Sequence, residues 1–226
     1  MLYRYELKFE DGSETAVEIR LDPVSLRAVS APDGPLPDWT LLDRCKCPVC
    51  PFDSASEHYC PVAVNMAGVA ARFADKSSVM PVEARVISDE REYFKRTSLQ
   101  SALSSIIGVY MVTSGCPVME VLKPMARYHL PFASLNETVY RSVSSYLTRQ
   151  YLAMKKGEEP DWSLERLKRA YADIEVLNRA MADRIRQASS KDANCNAIVI
   201  LDSFAKMVPW SLDNILPGDE LGLADS

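Results

Sequence analysis

Six cysteines occur in the 226 residues, at positions 45, 47, 50, 60, 116 and 195, and four of them fall within CKCPVCPFDSASEHYCP, residues 45–61. Thiols at that density can do two kinds of chemistry: as thiolates they hold a metal, or they attack an electrophile. The residue that follows each sulfur sorts them. Cys47, Cys50, Cys60 and Cys116 each precede a proline, whereas Cys45 and Cys195 do not. With 14 prolines in the chain, chance would give about 0.4 such pairs. Four pairs imply one shared environment, and four thiolates close a tetrahedral zinc site or hold a [4Fe–4S] cluster. The expected metal ligands are therefore Cys47, Cys50, Cys60 and Cys116, the last carried in by the distant TSGCP, where Gly115 lets the chain turn. Cys45 is the alternative fourth ligand, giving a local C-x-C-x2-C-x9-C pattern.

The residues around the sulfurs bear on which metal. Zinc ribbons use two C-x2-C knuckles with glycine after the second cysteine. Here there is one knuckle, CPVC, and Pro51 holds that position with φ fixed near about −65°. A Cys-Pro step ends the bacterial ferredoxin ligand run, and proline removes a backbone donor near the sulfur and helps to exclude water. A [4Fe–4S] cluster is the expected cofactor, with zinc as the alternative. Plain packing of thiols as small apolar groups fits the polar loop FDSASEHY less well.

A second unusual stretch, KPMARYHLPF at 123–132, brings Lys123, Arg127 and His129 close together. Arg127 and His129 are candidate cofactor-binding residues, binding an anion or tuning the site, and His129 is a possible ligand. The plainer alternative is a partly buried His129 bonded to backbone and an Arg127 paired with a carboxylate. A nucleophilic Cys116 with His129 as base is the enzymatic alternative. Pro117, however, removes an N–H that could serve an oxyanion hole. His58 reads as a solvated loop residue, and Asp192, Asn194 and Asn196 read as capping groups for the last helix. There is no Walker loop, dinucleotide fingerprint or HExxH.

The elements that position these residues follow from pattern. YRYELKF (3–9) and ETAVEIRL (14–21) alternate around Asp11-Gly12, a hairpin signal. SLRAVS (25–30) is a third candidate strand, so residues 1–30 read as a small β-element. Residues 31–61 form a Pro-rich linker and the cysteine loop, 62–212 a helical domain and 213–226 an acidic tail. VAVNMAGVAARFA (62–74) reads as a helix and PVEARVI (81–87) as a strand. TSLQ (97–100) and SLNE (134–137) read as capping boxes, and PDWS (160–163) opens a further helix. Leu99, Leu103, Ile106, Ile107 and Tyr110 share one helical face. Leu164, Leu167, Tyr171, Ile174, Leu177, Met181 and Ile185 share another, and Ile198, Leu201, Phe204 and Val208 a third. The expected fold is mainly α within α+β: a bundle of four or five helices with a small N-terminal β-hairpin or meander and a cysteine-rich loop.

Composition narrows the function classes. The net charge is −5 with both signs interleaved, so no basic stripe suits nucleic acid. The longest apolar runs are too short to span a bilayer, and MLYRYELKFEDG lacks the apolar core of an export signal. A cytoplasmic protein is expected, with thiols kept reduced and an unidentified protein or redox partner. Oligomeric state and reaction stay open.

Taken together, CPVC…YCPVA, TSLQSALSSIIG, TSGCP, PMARYHLPF and DANCNAIVILD resemble an uncharacterised family of bacterial proteins, over nearly the whole length. The resemblance implies no activity. It implies that Cys47, Cys50, Cys60 and Cys116 belong to the shared pattern and that Cys45 is particular to this chain.

Overall fold

The computed structural model describes residues 1–29 and 34–214. Alternating side chains make Leu2–Phe9 (β1) and Glu14–Arg20 (β2) an antiparallel hairpin, and Gly12 turns it at φ +82°. That positive φ is strained for any residue with a Cβ, hence glycine. Two strands much later in the chain complete the sheet: Pro81–Ser88 (β3) and Glu92–Ser98 (β4), in the order β2-β1-β3-β4. Register puts Tyr3 opposite Ile19, Tyr5 between Val17 and Val86, and Leu7 beside Ala84. These side chains are buried on one face. The other face carries ion pairs, Arg4 with Glu18 at 2.8 Å and Arg96 with Glu83 at 2.9 Å.

Six α-helices cover the described residues: Pro61–Arg72 (α1), Leu99–Val112 (α2), Pro124–Arg127 (α3), Leu135–Lys155 (α4), Glu165–Arg186 (α5) and Ala193–Asn214 (α6). The apolar face of α2 (Leu99, Leu103, Ile106 and Ile107) is fully buried. It packs against β3 and β4 on one side and against α1 and α6 on the other, so α2 is the centre of the core. Helix α5 lies on α6. No helix among the described residues is long and apolar enough to cross a membrane.

The mainly helical α+β expectation holds, with particular differences. Of SLRAVS, only an isolated bridge, Leu21 to Ala28, forms among the described residues; the third strand is β3. The fourth, β4, was not foreseen. Thr97 does not cap α2, because it lies in β4, paired with Val82 of β3, and is held extended; Ser98 stands at the cap position. Ser134 does cap α4: its Oγ accepts from Glu137 N at 3.3 Å while Glu137 Oε2 accepts from Ser134 N at 2.7 Å. Helix α5 begins later than PDWS suggests, after Leu164 at φ +63°. Residue 30 of the β-element, residues 31–33 of the linker and most of the acidic tail lie outside the described residues.

Two substitutions grade these contributions. Ile106→Ala should cost about 2–5 kcal/mol, since it empties a fully buried side chain. Ser134→Ala should cost only about 1 kcal/mol. Urea unfolding of the two variants checks the ranking, and a reversed order would contradict this placement of the core.

Candidate metal centre

The four Cys-Pro sulfurs come from three places in the chain. Residues 47–50 form a turn closed by Cys50 N donating to Cys47 O at 2.9 Å. Pro48 sits at the position where a fixed φ suits such a turn. Cys60 is the residue before α1, with Pro61 at its first position. Cys116 precedes a short 3-10 turn, Pro117–Met119, in the same way. Proline is favoured at a first helical position because the N–H it lacks would have no intrahelical partner there. Here it also starts a helical turn immediately after a sulfur. Neither sulfur makes a strict capping hydrogen bond.

All four of these thiols line one small cavity, about 20 Å³, together with Cys45, Leu177, Met181 and Arg184. Cys116 is buried, the others are partly so, and all six cysteines of the chain are free thiols. Cys195 lies apart on α6 and is buried in the core. Burial pushes the Cys47 thiol up to about 12, and the nearby Cys50, Cys116 and Cys60 push the same way. Burial also raises Cys116, to about 11, against the N–H groups of Val118 and Met119. Burial raises Cys60 too, while the N–H groups of Ala63 and Val62 and the charge of Arg184 pull it partway back. Among the described residues, no three His, Cys, Asp or Glu side chains are already set as metal ligands. The sulfurs share a cavity without closing on one point.

The loop that carries three of the sulfurs is held by Arg184, which sequence reading missed. Arg184 is 2% exposed on α5. Its guanidinium donates to the carbonyls of Trp39, Leu41 and Leu42, and to that of Cys45 at 2.6 Å. No carboxylate pairs with it among the described residues. The loop closes on itself through Cys60 N to Thr40 O and Leu42 N to His58 O, both 2.8 Å. Cys45 Sγ donates to Ala180 O at 3.4 Å, which engages it with α5. The signal for Arg184 was its position three residues beyond Met181, inside the apolar stripe of α5.

Arg127 and His129 lie elsewhere. Neither lines the cysteine cavity. Arg127 is exposed and donates to Pro23 O at 2.5 Å. His129 packs edge-on against Tyr3, centroids 5.3 Å apart, and its Nε2 meets the Tyr5 hydroxyl. Burial first, and then the charge of Arg141, lowers its pKa to about 3. Cys116 and His129 therefore line different cavities, and both are neutral near pH 7. A thiolate–imidazolium pair needs the opposite of each.

This geometry defines an α+β protein with a four-stranded antiparallel sheet, a helical layer and a thiol-lined cavity under a clamped loop. The chain belongs to the family described as a domain of unknown function, DUF6901, whose model matches residues 1–221. No curated protein and no solved structure matches it.

Two outcomes test the site's surroundings. Arg184→Leu should destabilise by at least about 3 kcal/mol, because four carbonyls lose a charged donor. It should also speed hydrogen exchange across residues 39–60, and unchanged exchange there would contradict the clamp. For His129 the folded pKa lies below the ordinary 6.5, so below that pH the unfolded chain takes up a proton the fold refuses. Stability from this group is whole above pH 6.5 and is lost as pH falls toward 3. His129→Gln should remove up to about 1.4 kcal/mol per pH unit of that slope. Denaturant midpoints at pH 7 and pH 5 measure it, and parallel curves for the two proteins would contradict the assignment.

Proposed function

We propose that Cys47, Cys50, Cys60 and Cys116 hold one metal centre, and that the protein acts as a redox- or metal-responsive module. The observation that carries this reading is that four Cys-Pro sulfurs, from a turn, a helix start and a distant 3-10 turn, line one cavity. The donor set suits a thiophilic metal. A four-thiolate centre is anionic, and the buried guanidinium of Arg184, which has no carboxylate partner among the described residues, lies beside it as countercharge. Cys116 is preferred to Cys45 as fourth ligand because Cys45 lacks the proline and spends its thiol on Ala180 O.

A [4Fe–4S] cluster is the first reading, supported by the repeated Cys-Pro step; the sulfurs would have to move apart to admit it, since the cavity as it stands is about 20 Å³. When bound, it would supply one-electron exchange at a potential set by hydrogen bonds and solvent access. The residues of the chain would bind it, exclude water and tie α1 to the 117–119 turn. Zinc is the second reading. A cavity of about 20 Å³ is the space of about one water, which suits a single ion acting as a fixed cross-link. A reducing, cytoplasmic setting fits free cysteines in either case, and a redox partner protein would be the counterpart of a cluster.

The test is metal analysis with a visible spectrum on protein purified without oxygen, beside three variants. Iron with sulfide and a broad band near roughly 400 nm supports the cluster, whereas zinc without colour supports the second reading. Cys47→Ser and Cys116→Ser should lose most of the metal, and Cys45→Ser should keep it. Wild-type protein without either metal would contradict the proposal, and loss from Cys45→Ser with retention in Cys116→Ser would move the fourth ligand to Cys45.

A further inference from the structure

A second cavity, about 260 Å³, lies among α2, the 119–133 segment, α4, α5 and α6. It is distinct from the cysteine cavity and independent of any metal there. It is a partly open cleft rather than a sealed void, so its apolar walls face either solvent or a ligand. An apolar cavity of roughly 150 Å³ is enough to hold benzene, and this one approaches the range of ligand sites. Its walls are largely apolar, with Leu122, Phe132, Ile174, Leu201 and Phe204 among them. Leu201 and Phe204, on the apolar face of α6, are only partly buried because they face this space.

The polar groups in the lining specify what would fit. Asn178 is 2% exposed, yet its Oδ1 has no hydrogen-bond partner among the described residues. A buried acceptor left unpaired destabilises the fold unless something else supplies a donor. Arg141 uses Nη2 on the carbonyls of Met125 and Tyr128, at 2.9 and 2.7 Å, and no carboxylate pairs with it among the described residues. Lys95 is exposed and also borders the cavity. The lining includes no Asp or Glu, in a chain whose net charge is −5. A largely apolar cleft, open on the side of Lys95, with two cations, the hydroxyls of Ser101, Ser105 and Thr138 and a neutral His129 but no acidic side chain among the described residues of its wall, suits an anionic head on an apolar body.

We propose that this cavity binds a small amphipathic carboxylic acid. Its carboxylate would meet Arg141 and Lys95, its apolar body would lie against Ile174, Leu201 and Phe204, and the Asn178 amide, whose Oδ1 is buried as it stands, would rotate to accept from a hydroxyl or N–H on that body. Anilinonaphthalene sulfonate carries the same three features, an anion, an apolar body and an N–H, and is the probe. The full chain is titrated with it by fluorescence while near-ultraviolet circular dichroism confirms native packing, and decanoate and decanol then compete for the site. The expected result is one saturable site, with decanoate displacing the probe at least about tenfold better than decanol. Asn178→Leu should raise the Tm of the ligand-free protein by about 2–4 °C, because an unpaired buried amide is gone, and weaken the probe about tenfold. Arg141→Gln should erase the preference for decanoate. No saturable site, equal competition by the two chains, or undiminished binding in Asn178→Leu would each overturn the proposal. If Arg141→Gln does not fold, the wild-type competition and Asn178→Leu decide it.

Discussion

One buried guanidinium fixes the arrangement on which the candidate centre depends. Arg184 reaches from α5 to four backbone carbonyls between Trp39 and Cys45 and holds the start of the cysteine loop against the helix. A loop with its own secondary structure reduced to short 3-10 turns and one bridge has few other means of keeping three sulfurs in place. A buried charge is stable only where its hydrogen bonds are made. The clamp therefore works in both directions: the carbonyls satisfy the guanidinium, and the guanidinium fixes the carbonyls. Its charge also falls where thiolate charge would develop.

The repeated Cys-Pro step has a geometric meaning that its statistics only hinted at. Three of the four prolines lie where a rigid φ is useful: one in the 47–50 turn and two at the first position of a helical turn. In the latter two the sulfur precedes freshly exposed backbone N–H groups, whose effect on Cys60 and Cys116 opposes that of burial. One local device, used at two unrelated places in the chain, delivers two sulfurs to the same cavity. Gly115, at φ +89°, turns the chain between α2 and the second of them.

Much of this was legible in residues with a clear period. The hairpin at Asp11-Gly12, the apolar face of α2 and the Ser134–Glu137 box are each encoded within a few residues. Strand β4 was not, because EYFKRTS is a largely exposed edge strand whose charges read as surface. Asn178, Arg184 and Arg141 were missed for a related reason: a polar residue on a helix reads as solvated unless its partners are known. Those partners are carbonyls 13 to 145 residues away, or, for Asn178 Oδ1, none among the described residues. That Cys47, Cys50, Cys60 and Cys116 line one cavity was legible because each carries the same neighbour, whereas that Cys45 lines it too was not. The placement of His129 was not, since its environment is made by Tyr3 and Tyr5, more than 120 residues earlier.

Helix α5 is the wall common to both cavities. Tyr171, Ile174 and Asn178 face the larger one, and Leu177, Met181 and Arg184 face the cysteines. The proposed centre, whether a cluster or a single zinc ion, has the four Cys-Pro sulfurs as its protein ligands. X-ray absorption at the metal edge of natively purified protein tests that most directly. The prediction is a first shell of sulfur alone, at about 2.3 Å, and four sulfurs if the metal is zinc. A shell dominated by nitrogen or oxygen, or no bound metal at all, would contradict it.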